Sequence, residues 1–306
     1  MTPLNISNLT NETVKVFEIE LSGTCNLDCV LCARNFKPMQ DKKQKNYRHL
    51  QDIINQLEQY PNLVECCIAG HISEPTLYKD LIKLLDYINK RNIKIEFYTN
   101  SDLHDEEYWK ELAQHFKCND QVYFTVCGST QELHETYRVN SNLDTVIKNA
   151  LIFKNACPHK IDYIQHIMFE YNQEDFKTKA MQDIIKQFNN TYLINSLQYN
   201  NRFEVVSKDS DIQMTKDLRT KYSAINKIGS NRLKEGNILC KSLQENFIDI
   251  DQFGNVHPCF LHRMNVPGVF DITDYSKILA GTYDFCFECE EKSIKLLELF
   301  NMERIG

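Results

Sequence analysis

From residue 14 to residue 199 the chain alternates short apolar runs with longer stretches of helical period. The apolar runs lie at 14–21, 64–68, 94–98, 121–126, 161–169 and 192–199. Between the first two, residues 49–60 carry apolar side chains at 50, 53, 54 and 57, which puts them on one face of a helix. Pro61 ends that helix. Residues 77–91 repeat the pattern with Leu77, Leu81, Leu84, Leu85 and Ile88. Residues 106–116, 142–154 and 174–188 read as three more helices, and Ser141 or Asn142 can cap the second of these. Six strands joined by five helices predict an α/β fold around a parallel sheet. Ligands of such sheets gather at the carboxyl ends of the strands. Periodicity alone fits either a barrel or an open doubly wound sheet.

The character changes after about Phe203. Residues 207–235 are polar and mixed in charge, and read as a connection with one helix. A hairpin is predicted from Phe247, with Gly254 in its turn, and a closing helix at 294–302. We therefore divide the 306 residues into an α/β unit at 1–205 and a smaller α+β unit at 206–306. The net charge is −7, and no basic run carries interleaved aromatics, so nucleic acid is not a favoured partner. No apolar run approaches the roughly 18 residues of a membrane span. The N-terminus lacks the basic and apolar parts of a signal peptide. Twelve cysteines without an export signal point to a reducing cytoplasm, where cysteine clusters mean metal or catalysis.

Two cysteine sets have ligand spacing. Cys25, Cys29 and Cys32 follow the first strand as C-x3-C-x2-C. Three thiolates on one loop can each bind one iron of a 4Fe–4S cluster, leaving the fourth iron open to a small molecule. Zinc is the alternative, but zinc sites usually pair one C-x2-C with a second pair elsewhere. The other set is Cys240, Cys259, Cys286 and Cys289, and four thiolates suit zinc and an iron–sulfur cluster equally. Cys66, Cys67, Cys118 and Cys157 show no such spacing and read as core or incidental.

The stretch Glu20-Leu-Ser-Gly-Thr-Cys-Asn-Leu-Asp-Cys-Val-Leu-Cys32 resembles the signature of the radical S-adenosylmethionine (SAM) superfamily. The resemblance implies a partial (β/α)6 barrel of the TIM type. It also implies a cluster whose open iron chelates SAM and a 5′-deoxyadenosyl radical that takes hydrogen from a substrate. One departure is Leu31, where the family usually has an aromatic residue near the adenine.

Further motifs carry the resemblance along the chain. Gly70-His-Ile-Ser-Glu-Pro75 resembles the family's glycine-glycine-glutamate-proline element, which implies that Gly70 and Glu74 meet the amino group of SAM. A plain loop and helix start at Pro75 is the other reading. Phe97-Tyr-Thr-Asn-Ser101 resembles Thr-Asn-Gly, with Asn100 lining the pocket or simply ending a strand. In Tyr123-Phe-Thr-Val-Cys-Gly128, Thr125 keeps a hydroxyl where a serine often meets SAM. Cys127 there reads as a buried small residue rather than a thiol facing the substrate cavity. His134-Glu-Thr-Tyr-Arg138 resembles members with a C-terminal SPASM or twitch domain, which implies that Arg138 reaches the SAM carboxylate. Gln165 and His166 lie on the fifth strand, where only alternate side chains point inward.

With that resemblance, Cys240, Cys259, Cys286 and Cys289 imply a twitch domain holding one auxiliary 4Fe–4S cluster that carries electrons. The implied activity is an oxidative, dehydrogenase-like modification of a small metabolite, since only about 13 residues precede the first strand. A peptide or protein side-chain maturase is the alternative within the family. A non-catalytic iron–sulfur or zinc protein is the alternative outside it. An external donor such as a flavodoxin or ferredoxin supplies the electron. No side chain is singled out for acid–base or nucleophilic catalysis.

Overall fold

The computed structural model describes residues 10–30, 32, 34, 47–169, 171, 172, 174–195, 246–257 and 259. Eight strands among them form one sheet. In chain order they are β1 (Val16–Ile19), β2 (Glu65–Ile68), β3 (Lys94–Thr99), β4 (Gln121–Thr125), β5 (Asp162–Met168), β6 (Asn190–Asn195), β7 (Phe247–Ile250) and β8 (Val256–His257). Their spatial order is β6-β5-β4-β3-β2-β1-β7-β8. Every pairing is parallel except the β7–β8 hairpin. No pairing between the described strands closes the sheet.

The crossovers are α1 (Leu50–Glu58), α2 (Leu81–Lys90), α3 (Glu106–Ala113), α4 (Gln131–Tyr137), α5 (Leu143–Ala156) and α6 (Lys179–Ile185). Local chemistry sets their starts. Asp105, Thr130, Asn142 and Thr178 each accept a backbone N–H of the first turn through a side-chain oxygen. Asn142, not Ser141, is the cap of α5. Two of the sequence-predicted helices are interrupted. The 77–91 stretch begins as a 3-10 turn at Pro75–Leu77, and the 174–188 stretch splits into a 3-10 turn at Asp175–Lys177 and α6. The helix α4 was not predicted. It is short and polar, with only His134 buried, so no apolar period announces it.

Strand alternation decides which face the helices cover. Phe17, Ile19, Cys66, Ile95, Phe97 and Phe124 share one apolar core with the buried faces of α1, α2, α3, α5 and α6. A fully buried phenylalanine there contributes about 1.5–3 kcal/mol. Their neighbours Glu18, Glu65, Cys67, Glu96, Tyr98 and Tyr123 point to the opposite face. A doubly wound sheet has helices on both faces and near-continuous apolar strands. One helix-covered face and one polar face is instead the curved wall of an incomplete barrel, as the resemblance implies.

The predicted hairpin forms, and β7 pairs in parallel with β1, from Val16↔Phe247 to Ile19↔Ile250. It thus extends the same sheet. The division predicted near residue 205 lies outside the described residues, as do the 207–235 connection and the 294–302 helix. Asp251 holds the hairpin turn. Its carboxylate accepts Phe253 N and Asn255 N, both at 2.9 Å, and the Asn255 amide at 3.0 Å, and it meets His257 Nε2 at 3.3 Å. Gly254 has φ +88°, a left-handed position that favours glycine.

Burial pushes the Asp251 carboxyl up, but the bonds from His257, Asn255 and Phe253 outweigh it and hold the pKa at about 2, against an ordinary 3.8. Because the folded value is depressed, this stability is whole above pH 4 and is lost as pH falls from about 4 to about 2. Asp251→Asn is therefore expected to cost about 2 kcal/mol at neutral pH. Urea denaturation at several pH values should show the gap from wild type closing over that acid window. A gap independent of pH would remove the electrostatic account.

Candidate functional site

The Cys25–Cys32 loop leaves the carboxyl end of β1 and is held on several sides. Asp28 N and Val30 N donate to Val139 O and Tyr137 O, each at 3.1 Å. The Arg34 guanidinium donates to Cys25 O at 3.4 Å and to Leu27 O at 3.0 Å. The Asn100 amide donates to Asn26 Oδ1 at 2.8 Å and lies 3.7 Å from Cys25 Sγ. Cys29 is buried, and Cys25 and Cys32 are half-buried. Burial pushes the Cys25 thiol up to about 11, with Glu74 and Cys29 adding to it. Burial pushes Cys32 up to about 12, with Cys29 and Cys25 adding. Burial also raises Cys29, while Arg138 and Arg34 oppose it. Cys29 thus acts on Cys25, and both act on Cys32, although no group of three or more His, Cys, Asp or Glu side chains among the described residues is gathered closely enough to hold a single metal ion. In the free protein the three thiols are protonated, so a metal must displace their protons on binding.

The second wall is the segment 70–75 after β2. Gly70 has φ +55°, and a Cβ there would lie 2.4 Å from Ser73 O and 2.8 Å from the Pro75 ring. Only glycine fits such a turn. The buried Glu20 carboxylate at the end of β1 accepts Ile72 N at 2.9 Å and Ser73 Oγ at 2.6 Å. Backbone joins the two loops directly, since Glu74 N donates to Thr24 O at 2.8 Å. The Glu74 side chain is buried. Its Oε1 accepts Thr76 N at 3.1 Å, Thr76 Oγ1 at 2.9 Å and Thr99 Oγ1 at 2.7 Å, and its Oε2 accepts Asn100 N at 2.8 Å. Four donors match the roughly four lone-pair sites of a carboxylate. Glu74 thus ties segment 70–75 to the end of β3. There Ser101, which stands in place of the glycine of the resembled Thr-Asn-Gly, sits at φ +52°, the left-handed conformation that glycine adopts most easily.

The third wall is α4. Its single buried side chain, His134, accepts Cys127 N at Nδ1 (3.1 Å) and meets Ser141 Oγ at Nε2 (2.9 Å). Burial holds its pKa down at about 3, with Arg138 and His166 contributing, so it is a neutral strut. Arg138 follows α4 and is 9% exposed, and its Nε is buried without a hydrogen-bond partner. Burial works against its charge, but Cys29, Cys127 and Tyr137 favour it. Thr125 Oγ1 donates to Gln165 Oε1 at 2.8 Å, joining the end of β4 to the middle of β5 on the polar face. Cys127 is fully buried in an apolar group, and His166 donates from Nδ1 to Val126 O at 2.7 Å.

The structure therefore brings Gly70, Glu74, Asn100 and Arg138 around Cys25, Cys29 and Cys32, with Thr125 at the neighbouring strand end. Cys259 is half-buried just past β8. Leu31, Cys240, Cys286 and Cys289 lie outside the described residues. Sequence reasoning missed the polar face itself. Tyr98 stacks on Tyr123 at 4.3 Å, and Tyr123 on Tyr163 at 4.8 Å. Tyr123 donates to Glu96 at 3.3 Å, Glu18 pairs with His71, and Glu18 lies in register with Asp249. The polar residues alternating with apolar ones in Val16-Phe-Glu-Ile-Glu20 and Lys94-Ile-Glu-Phe-Tyr98 were the available signal.

The sequence model of the radical SAM superfamily matches residues 19–180, just over half of the chain. The chain belongs to the radical SAM superfamily. Among its relatives, the mycofactocin maturase MftC of Mycobacterium ulcerans is 32% identical over 119 residues, 39% of this chain and 31% of that protein. A tungsten-containing aldehyde ferredoxin oxidoreductase cofactor-modifying protein of Pyrococcus furiosus is 27% identical over 113 residues, 37% of this chain and 31% of that one. The chain thus matches about a third of the length of these curated relatives. Streptococcus suis SuiB bound to S-adenosylmethionine superposes with a TM-score of 0.60 at 17% identity, covering 85% of this chain and 64% of SuiB. Native anSMEcpe with bound AdoMet gives 0.55 at 17% identity, covering 89% and 84%. At these identities the two structures show a shared α/β fold with a parallel sheet.

Radical SAM membership implies a 4Fe–4S cluster and SAM. The residues present fit that pair. Three thiols on one loop supply the ligands that such a cluster uses. A buried guanidinium beside them, with its Nε unpartnered, suits an anionic group. No helix among the described residues is long and apolar enough to cross a membrane.

Proposed function

We propose that the chain is a radical SAM enzyme that abstracts hydrogen from the side chain of a peptide or from a small metabolite. The carrying observation is the cysteine loop at the end of β1, packed beside a buried Arg138 whose Nε lacks a partner. When bound, the cluster and SAM supply the 5′-deoxyadenosyl radical. The chain's own residues bind and orient them. Cys25, Cys29 and Cys32 hold the cluster, and Arg138 faces the carboxylate of SAM. Asn100 braces the loop, and Gly70 lets segment 70–75 turn beside it. Thr125 with Gln165 lines the floor. Glu74 anchors the pocket wall, and its carboxylate meets the amino group of SAM only by giving up one of its present donors.

A peptide substrate is favoured over a free metabolite by the structural neighbour Streptococcus suis SuiB, described as bound to the precursor peptide SuiA. In this reading Cys240, Cys259, Cys286 and Cys289 hold an auxiliary 4Fe–4S cluster in a twitch-type domain. A flavodoxin or ferredoxin delivers the electron in the cytoplasm.

Anaerobic reconstitution is expected to load about two 4Fe–4S clusters per chain. Iron and sulfide analysis, EPR and an assay of 5′-deoxyadenosine check this. Zinc in place of iron at the C-terminal set would remove the auxiliary cluster and leave the first site standing. Absence of iron from both sets would overturn the enzyme reading.

A further inference from the structure

Several buried polar groups near the cysteine loop lack a hydrogen-bond partner, Thr24 Oγ1 and Arg34 Nε among them, and two of the others share one wall. One is Nε of Arg138, and the other is the hydroxyl of Tyr171. A buried donor left unpaired is costly and calls for a missing acceptor. Both stand against one wall. Tyr171 packs with Val30 and Tyr137 around Cys127, Ile167 and Phe169. Its ring lies 5.5 Å from that of Phe169, which lies 4.7 Å from Tyr137. Val30 directly follows Cys29, Tyr137 directly precedes Arg138, and Val30 N donates to Tyr137 O at 3.1 Å.

The turn that carries Tyr171 is firmly set. Its neighbour Asn172 is fully buried, accepts Phe169 N at 2.6 Å, and donates to Cys127 O at 2.8 Å and Ile167 O at 3.0 Å. Burial raises the Tyr171 pKa, with Cys127 adding and Arg138 opposing, so the phenol is protonated and within electrostatic reach of the guanidinium. A phenol O–H and a guanidinium N–H are both donors, and a carboxylate accepts both. The apolar wall strengthens such bonds by keeping water away.

We propose that Tyr171 and Arg138 form a two-donor clamp beside Cys29, and that Tyr171 binds the carboxylate of SAM. The clamp rests on the reading that Arg138 faces that carboxylate, and it adds a residue that no sequence motif singled out.

The test uses the anaerobically reconstituted full chain, with SAM and decarboxylated SAM as probes. Tyr171→Phe removes only the hydroxyl, which has no partner to lose. Iron content, circular dichroism and the melting temperature without SAM are therefore expected to stay unchanged or to rise. The variant should bind SAM about tenfold more weakly, the scale of one hydrogen bond to a charged group. Its affinity for decarboxylated SAM should match wild type, and its SAM-induced rise in melting temperature should shrink. An unchanged SAM affinity, or an equal loss for both probes, overturns the clamp. If Arg138→Ala then still weakens SAM selectively, the reading of Arg138 stands without Tyr171. If Arg138→Ala also binds SAM as wild type does, that reading falls too.

Discussion

Replacing Cys25, Cys29 and Cys32 together by alanine is expected to abolish formation of 5′-deoxyadenosine. The loop then offers no thiolate to iron, and about half of the reconstituted iron and sulfide should be lost. The fold should persist, because the loop is fixed largely by bonds that do not use the thiols, such as Asp28 N to Val139 O and Arg34 to Leu27 O. Replacing Cys286 and Cys289 should act differently. A strong chemical reductant should still drive SAM cleavage in that variant, while substrate turnover falls steeply. Circular dichroism must come first, since metal binding can itself supply folding free energy. A folded triple variant that still forms 5′-deoxyadenosine would sink the assignment of the first site. A folded Cys286/Cys289 variant lacking the second cluster but turning over at the wild-type rate would make that cluster structural.

Glu74→Ala and Arg138→Ala are expected to fail in opposite ways. Glu74 satisfies four buried donors, from Thr76, Thr99 and Asn100. Removing it leaves them unpaired, and the loss should be roughly 2–4 kcal/mol of stability before any ligand is added. SAM binding should weaken as a consequence, because Asn100 and segment 70–75 lose their tie. The Arg138 Nε has no partner to lose, so Arg138→Ala should leave the SAM-free protein as stable as wild type or more so. Its SAM affinity should fall by about tenfold or more, matching roughly 1.5–3 kcal/mol for a charge-assisted bond. Urea denaturation without SAM and equilibrium SAM binding separate the two variants. Equal stability losses in both would mean that Arg138 has a structural partner, and an unchanged SAM affinity in Arg138→Ala would place the carboxylate elsewhere.

Several features were legible in the sequence because their causes are local. The three-to-four spacing of Leu81, Leu84, Leu85 and Ile88 specifies a helix with one apolar face wherever that helix docks. Asn142 can cap α5 because its side chain bonds a backbone N–H three residues on. The spacing of Cys25, Cys29 and Cys32 gathers three thiols on one loop before any tertiary contact forms. From these, the sequence by itself determined the α/β class, the order of the first six strands and the place of the cysteine loop at a strand end.

Only the tertiary structure decided the rest, because it depends on contacts between distant segments. The pairing of β7 with β1 joins residues about 230 apart, and no local pattern encodes it. The motif around Glu74 suggested a ligand contact, and only the packed chain shows that Thr99 and Asn100, a strand away, also hold its carboxylate. Tyr171 sits in no recognisable motif, and it gains meaning only because packing strands its hydroxyl near Arg138 and Cys29. A hydrogen-bond partner, or the lack of one, is a property of the packed chain, and local sequence cannot state it.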